Sequence, residues 1–236
     1  MSYSTNEFYT GGKYLQNNPT WNSEDSEFKA EAINRIIARN KLQPVEVVEV
    51  GCGAGGNLVE LSKLNAGIQI LRGYDISPQA IALAAKHQND KVHFYCEDYL
   101  SAPTAPASLL LMIDVVEHVE DYIGFLRKVK SKSIYFVFHI PLDLCCRTVL
   151  KPHVLLQQRQ SVGHIHYFSK DSIEWALVDA GYEIIDQFYT KPAIDINPAR
   201  SFKQFVKKTL RKISFAINPD RSAKLWGGYS IMFLLK

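Results

Sequence analysis

The stretch Val45-Glu46-Val47-Val48-Glu49-Val50-Gly51-Cys52-Gly53-Ala54-Gly55-Gly56-Asn57 decides how this 236-residue chain is read. Its first half is a short valine-rich run with an acid near the end, the pattern of a strand buried in a parallel sheet. Four glycines then crowd a tight turn, and apolar residues restart at helical spacing with Leu58, Leu61 and Leu64. A strand that enters a helix through glycines brings backbone N–H groups and a helix N-terminus close to a ligand, where side chains would otherwise stand in the way.

The same alternation continues on either side. Strands are predicted at 69–75, 92–96, 109–113, 134–138, 182–189 and 228–235. Helices are predicted at about 23–40, from Ser77-Pro78 onward, at about 120–130, at 142–158 with Pro152 dividing it, and at 170–180 between Ser169 and Gly181. Strands and helices alternating at this interval predict an α/β fold, a Rossmann-like doubly wound sheet in three α/β/α layers. Ligands of such sheets lie at the carboxyl ends of the strands. Each early strand does end in a polar residue there: Glu49, Asp75, Asp98, Asp114 and His139.

Composition narrows the class further. With 47% apolar and 22% charged residues this is an ordinary globule. No apolar run reaches membrane-spanning length, and the N-terminus lacks a secretory pattern. Cys52, Cys96, Cys145 and Cys146 have neither metal nor disulfide spacing, so they read as reduced residues of a cytoplasmic protein. The net charge of +3 is too small to point to nucleic acid. It is also local: Arg200, Lys203, Lys207, Lys208, Arg211 and Lys212 form an acid-free segment, and without them the rest of the chain is net negative.

Two ligand classes fit the glycine turn. Gly51, Gly53 and Gly56 satisfy the dinucleotide fingerprint, with Asp75 downstream for ribose hydroxyls, so an NAD(P)-dependent oxidoreductase is one alternative. Glu49, at the strand end, is placed instead to receive the ammonium of an amino-acid-bearing nucleoside. Together, Glu49 to Gly55, the acids at the strand tips and the segment Asp114-Val115-Val116-Glu117-His118 resemble the class I S-adenosylmethionine-dependent methyltransferases of the small-molecule branch. The resemblance covers about residues 45–140 and implies a seven-stranded, mostly parallel sheet with an antiparallel last strand. It also implies roles. The Gly51, Gly53 and Gly55 turn would contact the methionine part of S-adenosylmethionine, and Asp75 would hold the ribose. Ile76 would pack on adenine, Asp98 would accept from its amino group with Tyr99 beside it, and Ile113 and Asp114 would lie near the sulfur. S-adenosylhomocysteine would be the product, and the acceptor a small molecule, methylated at an oxygen of a sugar, quinone or secondary metabolite.

Residues 1–22 form an aromatic arm or lid before a domain at 23–236, with Tyr14 or Trp21 able to close over the ligands. His139 and His118 are the candidate bases, followed by His166. His164 and His166 stand two apart and could share a metal, but no third ligand has a defining spacing, so no metal site is assigned. Between the last two strands a basic helical insertion at about 190–227 departs from the family pattern. It reads either as a cover with a basic outer face or as a contact for an anionic membrane or substrate through 200–212. The sequence leaves the oligomeric state open.

Overall fold

The computed structural model describes residues 5–196 and 201–236. Pro198 and Arg200 of the insertion, and the first four residues of the arm, lie outside the described residues. Seven strands form one sheet: β1 (Glu46–Val50), β2 (Ile70–Asp75), β3 (Val92–Cys96), β4 (Ala107–Ile113), β5 (Ser133–Pro141), β6 (Ile184–Thr190) and β7 (Ser230–Leu235). Their order is β3-β2-β1-β4-β5-β7-β6. The first five strands run parallel, and β7 lies antiparallel between β5 and β6. The expected Rossmann-like α/β fold is therefore present, including the reversed last strand.

The valine-rich pattern of β1 has its physical reason in this order. β1 sits between β2 and β4 with helices on both faces, so Val47, Val48, Glu49 and Val50 are all buried. One face packs the helix Ser26–Arg39 through Ala30, Ile33, Ile36 and Ile37. Each buried isoleucine there contributes about 1.5–3 kcal/mol relative to exposure. The other face packs Leu126, Ile173 and Leu177 of two further helices. Pro152 divides the apolar stretch after β5 into the helices Cys146–Leu150 and His153–Ser161. Ser169 caps Lys170–Asp179 by accepting from the Ser172 N–H at 3.2 Å.

Strand order changes direction between β1 and β4, and this switch point opens a crevice at the carboxyl edge. The arm folds over it as two short helices, Thr5–Thr10 and Lys13–Asn17. Gln79 Nε2 donates to the Thr10 carbonyl at 2.8 Å on one side of the crevice. On the other, Asn18 Nδ2 donates to the Ser161 carbonyl at 2.9 Å and Tyr9 Oη to that of Val162 at 2.8 Å.

Candidate functional site

The turn after β1 is built as its glycines demand. Gly51, Gly53 and Gly55 all have positive φ, at 72°, 55° and 78°. A Cβ on Gly51 would stand 2.7 Å from Val115, and one on Gly53 would stand 2.6 Å from Trp21, which caps the turn. Gly55 serves the fold instead. It packs against Phe94 and Ala84, while its neighbours Ala54 and Gly56 face the crevice. Gly53 N–H donates to Asp75 Oδ2 at 2.9 Å, and Ser77 N–H to Asp75 Oδ1 at 2.8 Å, so the β2 tip is tied to the turn.

Two cavities share this turn. The larger, about 610 Å³, is lined by Val50, Gly51, Tyr74, Asp75, Ile76, Asp98, Tyr99 and Asp114, with Tyr9, Tyr14 and Trp21 from the arm side. It brings together Tyr14, Asp75, Ile76, Asp98, Tyr99 and Asp114 of the candidate site residues. Its volume lies in the range for small-ligand sites, about 300–1,000 Å³. The smaller, about 220 Å³, is lined by Lys29, Asn57, Ile113, Asp114, Glu117, His118, His139 and His164 among others. Tyr14, Trp21, Gly51, Asp114 and His118 border both, so the two are chambers of one crevice.

Glu49 stands one layer behind the wall. It is fully buried; Oε1 accepts from Asn57 Nδ2 at 2.7 Å, while Oε2 has no hydrogen-bond partner. Burial pushes its carboxyl up to about 8, against the pull of Asn57 and Lys29. An orphaned buried carboxylate oxygen beside a glycine cradle that no side chain can fill suits a ligand that carries an ammonium on a nucleoside. S-adenosylmethionine has that donor set.

Where the chambers meet, Asp114 adopts a left-handed φ of 55°, strained for a non-glycine residue. Its Oδ2 pairs with Lys29 Nζ at 2.9 Å and its Oδ1 with His139 Nδ1 at 2.6 Å. Burial alone would raise its carboxyl, but Lys29 and His139 outweigh that and hold it far below the usual carboxylate range. Lys29 is in turn held above its ordinary value: burial opposes the charge and Asp114 more than restores it. Neither Lys29 nor this pairing was read from the sequence.

The histidines depart from expectation in different ways. His139 is buried with both nitrogens engaged, Nδ1 on Asp114 and Nε2 on Thr190 Oγ1 at 2.8 Å. Its geometry is that of a positioning residue for Asp114, not of a base with a free lone pair. His166 lies outside both cavities: its Nε2 donates to the Glu120 carbonyl at 3.2 Å and its ring packs on Tyr122. His118 does border the crevice, and burial first, then His164, pushes it down to about 4, so it is neutral. His164, which the reading paired with His166, instead faces Glu117 and His118.

The profile of a family described as a methyltransferase domain matches residues 21–187. Norajmaline N-methyltransferase of Rauvolfia serpentina is 36% identical over 93 residues, which is 36% of this chain and 31% of that protein's length. A Haloferax volcanii methyltransferase solved with the Trm112 methyltransferase activator superposes with a TM-score of 0.67 at 17% identity, covering 99% of this chain and 96% of that one. N-methyltransferase NodS from Bradyrhizobium japonicum WM9, solved with S-adenosyl-L-homocysteine, superposes at 0.60 and 14% identity over 99% and 98% of the two chains. The nicotinamide alternative gains no support from these matches, and the antiparallel β7 departs from the all-parallel dinucleotide sheet. With 167 of its residues matched by the family profile, the chain belongs to the methyltransferase-domain family, the class I S-adenosylmethionine-dependent methyltransferases.

Proposed function

We propose that this protein transfers a methyl group from S-adenosylmethionine to a small-molecule acceptor, at an oxygen such as that of a sugar, a quinone or a secondary metabolite. The observation that carries the reading is the crevice: a glycine cradle and the acids Asp75 and Asp98 line one chamber, which opens at Asp114 and His118 into a second. When bound, S-adenosylmethionine supplies a methyl on a sulfonium, which needs alignment more than covalent help. In this proposal Asp75 holds the ribose hydroxyls, Ile76 and Tyr99 flank the adenine and Asp98 accepts from its amino group. Asp114, locked between Lys29 and His139, fixes the wall near the reacting sulfur. Tyr14 and Trp21 exclude water from above; their rings meet at 4.5 Å over the turn. Glu117, His118 and His164 face the acceptor.

An amine acceptor is the second reading. The name of the norajmaline relative favours it. Calorimetry tests the shared part of both readings: S-adenosylhomocysteine is expected to bind and NAD not to. NAD binding without S-adenosylhomocysteine binding would overturn it.

The insertion extends the proposal to a surface. Among the described residues, the helix Phe202–Ile217 buries Arg211, and Phe215 stacks on Tyr229 at 5.3 Å. Its outer side is not merely basic: Phe202 is 81% exposed, Phe205 59% and Ile213 52%. Leu150, also exposed, stands on the helix Cys146–Leu150. Burial first, then the nearby Arg147, Arg211 and Lys151, push Lys207 below its usual value. Large apolar side chains interleaved with clustered bases suit the headgroup layer of an anionic membrane. Among the described residues no helix is long and apolar enough to cross one. Cosedimentation with phosphatidylserine-containing vesicles is expected, and charge reversal at Lys203, Lys207, Lys208 and Lys212 is expected to abolish it, each base contributing about 1 kcal/mol. Equal sedimentation of both proteins would end this part of the proposal.

A further inference from the structure

The acceptor chamber holds a feature the methyl-transfer geometry does not require. Backbone hydrogen bonds from the N–H groups of Ile165 and His166 to the Glu117 carbonyl, at 3.0 and 3.1 Å, draw the segment after Gly163 onto the turn after β4. As a result His118 Nε2 lies 3.8 Å and His164 Nε2 3.9 Å from Glu117 Oε1. All three donor atoms fall within 4.8 Å of one another. These separations are too long for hydrogen bonds. Glu117 is nevertheless fully buried, and neither of its carboxylate oxygens has a hydrogen-bond partner. A buried carboxylate left in this state is costly unless something else satisfies it.

The outer partners fix which ring nitrogens face it. His118 Nδ1 faces the Gly163 carbonyl at 3.1 Å and Tyr9 Oη at 2.7 Å, and the Tyr9 O–H is itself given to the Val162 carbonyl. A carbonyl can only accept, so Nδ1 carries the proton and Nε2 the lone pair. His164 Nδ1 lies 2.6 Å from Asp143 Oδ2, and Asp143 Oδ1 accepts from Gln158 Nε2 at 2.6 Å. The carboxylate accepts, so in the neutral ring Nε2 is again the free base. Two imidazoles thus have their Nδ1 atoms anchored by a carboxylate and a carbonyl, and turn both Nε2 atoms toward one unpartnered carboxylate. That is the outer shell that orients metal-binding histidines.

We propose that Glu117, His118 and His164 bind a divalent first-row transition ion through the Glu117 carboxylate and the two Nε2 atoms. Two nitrogens and one oxygen suit Zn²⁺ or its neighbours and not Mg²⁺ or Ca²⁺. With bonds of about 2.0–2.1 Å, tetrahedral donors stand about 3.4 Å apart, so on closing round the ion each carboxylate–imidazole separation shortens by about half an ångström and that between the two Nε2 atoms by up to about 1.4 Å. Three protein ligands leave one position open, and all three line the smaller chamber. That position holds an oxygen or nitrogen donor of the acceptor; this last step rests on the methyltransferase reading, whereas the ion site does not. The pair expected from the sequence, His164 with His166, is not the one the fold makes: His166 turns to the Glu120 carbonyl, and His118 and Glu117 stand beside His164 instead.

The test is calorimetric titration of the chelator-treated full chain with Zn²⁺, followed by Co²⁺ as a visible-absorption probe. Expected are one tight Zn²⁺ per chain and a tetrahedral Co²⁺ spectrum. His164→Ala and Glu117→Gln should each weaken binding by more than about a hundredfold, and Asp143→Asn by about 10–100-fold, since it removes only the orienting partner. Equal Zn²⁺ affinity in the parent and all three variants would place any ion elsewhere, for instance on an exposed cysteine, and overturn the site. S-adenosylhomocysteine is titrated into the same samples. Nucleoside binding without Zn²⁺ binding sinks the ion site alone. Zn²⁺ binding without nucleoside binding leaves the ion site standing and sinks the methyltransferase reading.

Discussion

Asp75→Ala lowers the affinity for S-adenosylhomocysteine by at least about a hundredfold, measured by calorimetry. A hydrogen bond to a charged group is worth about 1.5–3 kcal/mol, two ribose hydroxyls make two of them, and each 1.4 kcal/mol is tenfold. The carboxylate does a second task, because its oxygens already accept from the Gly53 and Ser77 N–H groups and so shape the turn. Asp75→Asn is the milder variant. Its amide keeps one accepting oxygen but sets its NH2 against the other backbone N–H, so it loses one turn hydrogen bond with the charge, and affinity falls by about tenfold with a smaller loss of thermal stability than in Asp75→Ala. Unchanged affinity in Asp75→Ala would remove the larger chamber from the nucleoside reading, and with it the roles proposed for Ile76, Asp98 and Tyr99.

The strands, the glycine turn and the acids at the strand tips were legible because they are written in local patterns. Period-two and period-3.6 apolar spacing, a glycine where φ must be positive, and a serine before a helix each act over a few residues. Asp75, Ile76, Asp98, Tyr99 and Asp114 could therefore be placed in one crevice before any coordinates. What stayed hidden was pairing across the chain. His139 sits at its expected strand end, yet its role changed because Thr190, on the distant β6, meets its Nε2. Lys29 reads as one more polar residue in an amphipathic helix, and only the packing of that helix on the sheet sends its ammonium to Asp114. His164 and His166 were grouped by alternation, as for a strand, but 163–169 is not a strand, and the two rings face different neighbours. The signal for Glu117 lay within the motif itself. An acid buried between Val116 and His118 needs a partner, and no local residue supplies one.

Glu49→Gln is expected to make the unliganded protein more stable and a poorer ligand binder. Glu49 titrates near 4.5 when unfolded and is pushed up to about 8 by burial in the folded chain. The sign follows from proton counting. Between those values the folded state holds a proton that the unfolded state has released, so stability is fully present below about 4.5 and falls as pH rises toward about 8. The loss approaches several kcal/mol at about 1.4 kcal/mol per pKa unit. Gln at this position keeps an oxygen for Asn57 and carries no charge, but leaves a buried amide N–H unpaired at about 1–3 kcal/mol. The net gain above pH 8 is therefore about 2 kcal/mol, seen as a flattened pH dependence of the urea midpoint. The ligand reverses the preference. An ammonium beside the wall favours ionised Glu49 over protonated, so binding at pH 6 releases a proton, and affinity in the parent rises by up to about tenfold per pH unit toward 8. Lys29, held above its ordinary value, and Asp114, held far below its own, keep their charges through that interval. In Glu49→Gln both the proton release and the rise should vanish. Persistence of the rise in the variant would show that the buried acid of β1 takes no part in binding.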